Sequence, residues 1–183
     1  MLRIDIKQHL ANTLKNLMVT TPVDHITVNQ LTHEANVARN TFYYHFADIN
    51  ELVAWIYNRE IVSQLAAFQQ GQDWLKGLDL LVTYIETNRH FCLNTFHSVN
   101  RDLLSRFLYR VAFTMVSGVV IDLQANCPPN LQDEIANFYG WALATQITQW
   151  LVTNLEEPKQ EFYRRMQRML NGTILHILEK NAY

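Results

Sequence analysis

The sequence predicts an all-α fold, an N-terminal three-helix domain followed by a helical bundle. Three observations carry that prediction. Glycine (5) and proline (4) are scarce in a chain of 183 residues, which disfavours a turn-rich β architecture. Apolar residues recur three or four apart through most of the chain, the period of a helix with one buried face. No stretch alternates with period two over a useful length, so strands are not expected. The apolar fraction of 49% is ample for a packed core. The length suits a small domain plus a medium one, and we place the boundary so that residues 1–48 form the first and 49–183 the second.

The first helix is expected from Leu2 to about Val19. Ile6, Leu10, Leu14 and Leu17 make one apolar stripe, with Lys7, Asn12 and Lys15 mostly off it. Pro22 lies just past its end, and the residue before a proline avoids α geometry. A shorter helix follows, with Thr27 and Gln30 at capping-box spacing. Asn36 then sits where a sharp inter-helix turn is needed, and asparagine tolerates a left-handed backbone better than other non-glycine residues. Val37–Phe46 reads as another short helix. Phe42 and Phe46 are four apart and share one face, as core partners for Ile26, Leu31 and Ala35. Arg39, Asn40, Thr41, Tyr43, Tyr44 and His45 are left to point outward. The pattern is a helix-turn-helix whose second helix is the candidate DNA reader.

Ile26-Thr27, Leu31, Ala35-Asn36-Val37 and Thr41-Phe42-Tyr43-Tyr44-His45-Phe46, followed by the acidic cap Asp48 and a new helix, resemble the N-terminal domain of TetR-type transcriptional regulators. The resemblance runs from about Ile6 to about Leu52. It implies a homodimer that binds DNA, with an effector site in the C-terminal domain. Two positions depart from the family's habit. Ala38 stands where a serine often opens the reading helix, and Ile49 where a phosphate-binding lysine often follows the motif.

Side-chain chemistry suggests roles on the DNA. Arg39 suits a guanine edge and Asn40 an adenine edge. Thr41 can offer its methyl group to thymine or its hydroxyl to a phosphate. Tyr43, Tyr44 and His45 suit phosphates, as do Thr27 and Asn29 at the start of the preceding helix. Charge does not advertise the partner. The net charge is −2, and within residues 1–48 Arg3, Lys7, Lys15 and Arg39 balance Asp5, Asp24, Glu34 and Asp48. Counterion release normally supplies most non-specific DNA affinity. A neutral module therefore needs two reading heads, or protonated histidines, to bind well.

Beyond Asp48 a long helix is expected to about Gln69, capped by Asp48 with Glu51 three residues on. The polar break Gln69–Asp73 follows, then helices over Leu75–Asn88, His90–His97, Arg101–Gln124, Leu131–Leu155 and Lys159–Lys180, with Asn130 as a cap after Pro128-Pro129. Ile135–Leu155 carries no charged residue and is long enough to span a bilayer. Its interspersed Asn, Gln and Thr argue instead for a helix buried on several sides. Ala136, Gly140 and Ala144, four apart and small, permit close approach of another helix. With Ile147 and the stripe Phe162, Met166, Met169 and Thr173 they would form a four-helix dimer interface. The alternative is that both are internal core helices of a monomer. Aromatic residues are dense in the second domain. Tyr84, Phe91, Phe107, Phe113, Tyr139 and Trp141 are candidates to line a pocket for an apolar or aromatic effector, or else to form ordinary core.

No metal site and no cofactor is called for. His90, Cys92 and His97 match none of the common zinc spacings. No phosphate-binding glycine loop, metalloprotease helix or nucleophile elbow is present, so an enzyme is not expected. Two cysteines make no disulfide framework and no signal peptide opens the chain, which together suggest the cytoplasm. The expected function is a ligand-responsive repressor, a dimer on a palindromic operator. The alternative is a co-activator or protein-interaction module that needs a partner subunit to sense its signal.

Overall fold

The structure, a computed structural model, describes residues 5–65, 74–99, 102–123, 128–170 and 172–181. The expected polar break at Gln69–Asp73, the residue Cys127 and the start of the first helix at Leu2 lie outside them. Every regular element among the described residues is helical. The chain divides into two compact units. One comprises Met1–Glu60 with Asn88–Leu104, the other Ile61–Thr87 with Ser105–Tyr183.

In the first unit, α1 spans Ile6–Leu17, and its N-cap Asp5 accepts from the amides of Lys7 and Gln8. A 3-10 turn, Val23–His25, leads to α2, Val28–Glu34. α3 spans Arg39–His45 and α4 spans Ile49–Tyr57. Leu10, Leu14, Leu31, Phe42, Leu52 and Ile56 are completely buried and form the core these helices share. Asp48 caps α4 by accepting from Glu51 N at 2.8 Å, while Glu51 Oε2 accepts from Ala47 N at 2.5 Å. Asp48 caps as the sequence pattern predicts, while Glu51 reaches one residue past the cap to Ala47 rather than back to Asp48 N.

The helix expected to run on to Gln69 does not stay regular. α4 passes into a π-helical turn, Asn58–Val62, and then α5, Ser63–Leu65. π turns occur mostly as single insertions in α-helices. This one straddles the point where the chain leaves the first unit, after Glu60.

The chain re-enters the first unit at Asn88. The second unit supplies α6 (Trp74–Thr87) before that point, and α7, Arg89–His97, is fastened in the first unit by polar side chains. Asn94 Nδ2 donates to the carbonyls of Met18 and Thr21 at 2.9 and 2.8 Å, and its Oδ1 accepts from Val23 N at 2.7 Å. One amide thus satisfies three backbone groups in the bend after α1. Asp24 accepts from Ser98 Oγ at 2.6 Å and Val99 N at 3.0 Å. Lys15 Nζ donates to both Glu60 carboxylate oxygens, at 3.0 and 2.8 Å, and to Asn88 Oδ1 at 2.6 Å.

Besides α6, the second unit contains most of α8 (Asp102–Leu123), α9 (Pro129–Val152), α10 (Lys159–Leu170) and α11 (Thr173–Asn181). α9 opens on Pro129 with Pro128 at the cap, so Asn130 lies in the first turn rather than capping it. The single helix expected over Lys159–Lys180 is two. Gly172, at φ 78°, turns the chain between them. That backbone is strained for any residue with a Cβ.

α8 and α9 pack closely because residue 140 has no side chain. A Cβ on Gly140 would lie 3.1 Å from Phe113 Cα and 3.2 Å from Phe113 N. Val116, Val120, Ile135 and Ala136 continue the seam, with Ile174 of α11 against it. Farther along, the Trp150 ring stacks on Phe162 at 4.7 Å, and its Nε1 donates to Glu157 O at 2.7 Å. Over Asp102–Ile121, α8 is long and apolar enough to cross a membrane, with 56% of that stretch buried inside the fold.

Candidate nucleic-acid interface

The turn between α2 and α3 is built by local chemistry. Thr27, extended at the N-cap of α2, accepts from Gln30 N at 3.1 Å and satisfies an orphan amide of that helix. Asn36 takes φ 51°, the left-handed conformation that the inter-helix bend demands. Ala38, at the N-cap of α3, makes no side-chain bond. The first amides of α3 are therefore left without a cap from that residue, and amides at a helix start attract anions.

Burial separates the two faces of α3. Phe42 is fully buried and Phe46 nearly so, with ring centroids 5.9 Å apart. Arg39, Asn40, Tyr43 and Tyr44 are exposed, and Thr41 and His45 half-buried. Tyr44 is 85% exposed, a large fraction for a ring that could have packed inward. Arg39 lies over the Tyr43 ring, 5.3 Å from its centroid, and donates to its hydroxyl at 3.1 Å. The contact lays the guanidinium along the exposed face of α3 against Tyr43. Thr27 and Asn29 are also exposed at the start of α2. Lys7 of α1 reaches the far end of α3, its Nζ 5.6 Å from the Phe46 ring centroid.

The other predicted residues fare differently. Of the effector set, Tyr84, Phe107 and Tyr139 are buried in the second unit and Phe113 is half-buried there. Trp141 is 53% exposed and stacks on Tyr109 at 4.3 Å. Phe91 belongs to the first unit, its ring 5.0 Å from Tyr57. A cavity of about 440 Å³ in the second unit is lined by Leu75, Lys76, Asp79, Leu80, Thr83 and Tyr163 instead.

Ala136, Gly140, Ala144, Ile147, Phe162 and Met166, expected between subunits, are already buried within one chain. Gly140 faces α8 of its own chain. The small-residue stripe identified a close helix approach and could not say which helix makes it. Met169, 66% exposed, and Thr173 do lie open. So does the other side of α9, where Phe138 (70%), Trp141 and Val152 (51%) share exposed positions with Ala142, Thr145 and Gln149. α9 is buried along one side, not on several.

A TetR-type family model described as the transcriptional regulator C-terminal region matches residues 72–172, more than half of the chain. A curated relative, the HTH-type dhaKLM operon transcriptional activator DhaS of Lactococcus lactis subsp. lactis (strain IL1403), is 28% identical over 82 residues. That alignment covers 45% of this chain and 44% of the relative, so the chain matches under half of the relative's length. A solved structure, the dihydroxyacetone kinase operon activator DhaS, superposes with a TM-score of 0.76 at 19% identity, covering 94% of this chain and 97% of that one, and shows the shared fold. The chain belongs to the TetR family of transcriptional regulators.

Proposed function

We propose that this regulator binds operator DNA through α3, with residues 1–48 as the DNA-binding domain and residues 49–183 serving dimerisation and effector response. The observation that carries the reading is the outward set on α3. Arg39, Asn40, Tyr43 and Tyr44 are exposed on a short helix whose opposite face is anchored by Phe42. Arg39 and Asn40 read bases; Thr41, Tyr43, Tyr44, His45, Thr27 and Asn29 hold phosphates. Two copies place two reading helices about one helical turn apart, roughly 34 Å, on a palindromic site. The copies join through the open side of α9, around Phe138, Trp141 and Val152, together with Met169 and Thr173. An apolar or aromatic effector binds the second unit, and the protein works in the cytoplasm.

The relatives are named as activators. We read this chain the same way, in preference to the expected repressor. A gel shift against fragments of the host genome, with the protein alone at low salt, tests DNA binding. A reporter driven by the retained fragment tests the sign: expression that rises with the protein supports activation, and expression that falls makes it a repressor. The neutral N-terminal domain and the absence of a cation at Ile49 favour a second reading, a module that needs a partner subunit. No retained fragment would select it.

A further inference from the structure

Six of the chain's seven histidines lie in the first compact unit: His9, His25, His33, His45, His90 and His97. The same unit holds seven Lys and Arg residues against seven Asp and Glu residues, so it carries no net charge while its imidazoles are neutral. A DNA-binding unit with no surplus cation releases few counterions and gains little affinity from them. Imidazole is the side chain whose ordinary charge change falls between about pH 5 and 8. We infer that His25, His33 and His45 bind DNA phosphates as imidazolium, so that this protein takes up protons when it binds DNA. The inference rests on the DNA-binding reading above.

Position selects these three. His25 is exposed two residues before Thr27, at the end of the turn that opens α2. His33 is exposed one helical turn beyond Asn29, on the same face of α2. His45 ends α3 beside the Tyr44 ring, 5.0 Å between centroids. The three therefore border the residues assigned to phosphate. His9 is excluded because its Nε2 already lies 2.8 Å from the Ala35 carbonyl oxygen.

The neighbouring charges are consistent with the assignment. Asp24, beside His25, is engaged by Ser98 and Val99 of the segment after α7, which also carries His97. His33 has Glu34 next to it; α1 and α3, the helices packed on α2, contribute Asp5, Lys7, His9, Lys15 and Arg39. Around His45, Lys7 of α1 lies over the adjacent Phe46 ring, α2 contributes His33 and Glu34, and the start of α4 contributes Asp48 and Glu51, both bound to backbone amides. Arriving phosphates add negative charge at each of the three, which favours the protonated form.

The test is fluorescence anisotropy of the full chain on a mixed-sequence duplex of about 30 base pairs, at about pH 6 and about pH 8 over a salt series. Affinity is expected to rise about tenfold or more on going to the lower pH, with a steeper salt dependence. The triple variant His25→Gln, His33→Gln, His45→Gln should lose most of that rise, and His176→Gln, in the second unit, should keep it. If the triple variant folds poorly, the singles His25→Gln and His33→Gln, both at exposed positions, should each lose part of the rise. Equal affinity at the two pH values, or a rise that survives the substitutions, overturns proton uptake and leaves DNA binding standing. No binding at either pH overturns the DNA-binding reading and this inference with it.

Discussion

Removing one ammonium group should loosen the first unit by a predictable amount. Lys15 is bound to both oxygens of Glu60 and to Asn88, and the Lys15 and Glu60 side chains are only 23% and 20% exposed. Lys15→Met keeps most of the aliphatic stem and deletes the charge. It takes the ammonium away from a largely buried carboxylate and from the Asn88 side-chain oxygen. Breaking a fully buried pair costs about 3–5 kcal/mol, and breaking an exposed one about 0.2–1 kcal/mol. With a fifth of each side chain in water, we expect roughly 2–3 kcal/mol. Adding Glu60→Gln to Lys15→Met should recover much of this, because a neutral amide loses less than a carboxylate when the ammonium is gone. The assay is urea unfolding followed by Trp55, the tryptophan of the first unit, in chains with Trp74, Trp141 and Trp150 replaced by Phe. The four chains of the double-mutant cycle should give a coupling above about 1 kcal/mol. A Lys15→Met loss below about 0.5 kcal/mol, or additive single effects, would refute the reasoning.

Other outcomes follow from the same geometry. Gly140→Leu drives atoms into the Phe113 backbone and should lower stability by roughly 1–3 kcal/mol in a thermal melt; an unchanged melt would mean that α8 and α9 are farther apart. Burial pushes the Cys92 thiol up to about 12, so in a Cys127→Ser chain at about pH 8 a maleimide should label it only after denaturant is added. Labelling of the folded chain would place the thiol at the surface. Glu157 is held below the usual carboxylate range by its hydrogen bonds from Arg165. Its folded value is thus below its unfolded one, so its stabilisation is present at neutral pH and lost on acidification through the carboxylate range. Glu157→Gln should therefore be less stable than the parent near neutrality and converge with it in acid, where a constant difference at all pH values would contradict the assignment.

What the sequence made legible is local. Thr27, Asn36 and Asp48 act within four residues and do in the structure what their positions predict, and Glu51 binds an amide one residue before the one expected. Phe42 and Phe46 share a buried face for the same reason. Features set by distant parts of the chain were not legible. Asn94 fastens α7 through groups more than 70 residues away, and nothing in its neighbourhood marks it. The π turn at Asn58–Val62 has no compositional signal. Gly140 signalled a close approach, yet its partner is Phe113 of the same chain. Gly172, the break between α10 and α11, was hidden because the apolar period continues on both sides of it. Ring count says nothing of which unit a ring joins: Phe91 went to the first, and Trp141, in the second, is half exposed.

The account turns on Arg39 and Asn40 meeting bases. Selection of bound fragments from a random duplex library, run in parallel with the parent chain and with Arg39→Ala, addresses that directly. The account predicts an inverted repeat for the parent, with a guanine in each half-site that the variant no longer prefers while the rest of the motif persists. An identical motif from both proteins, or no enriched motif from the parent, would contradict it.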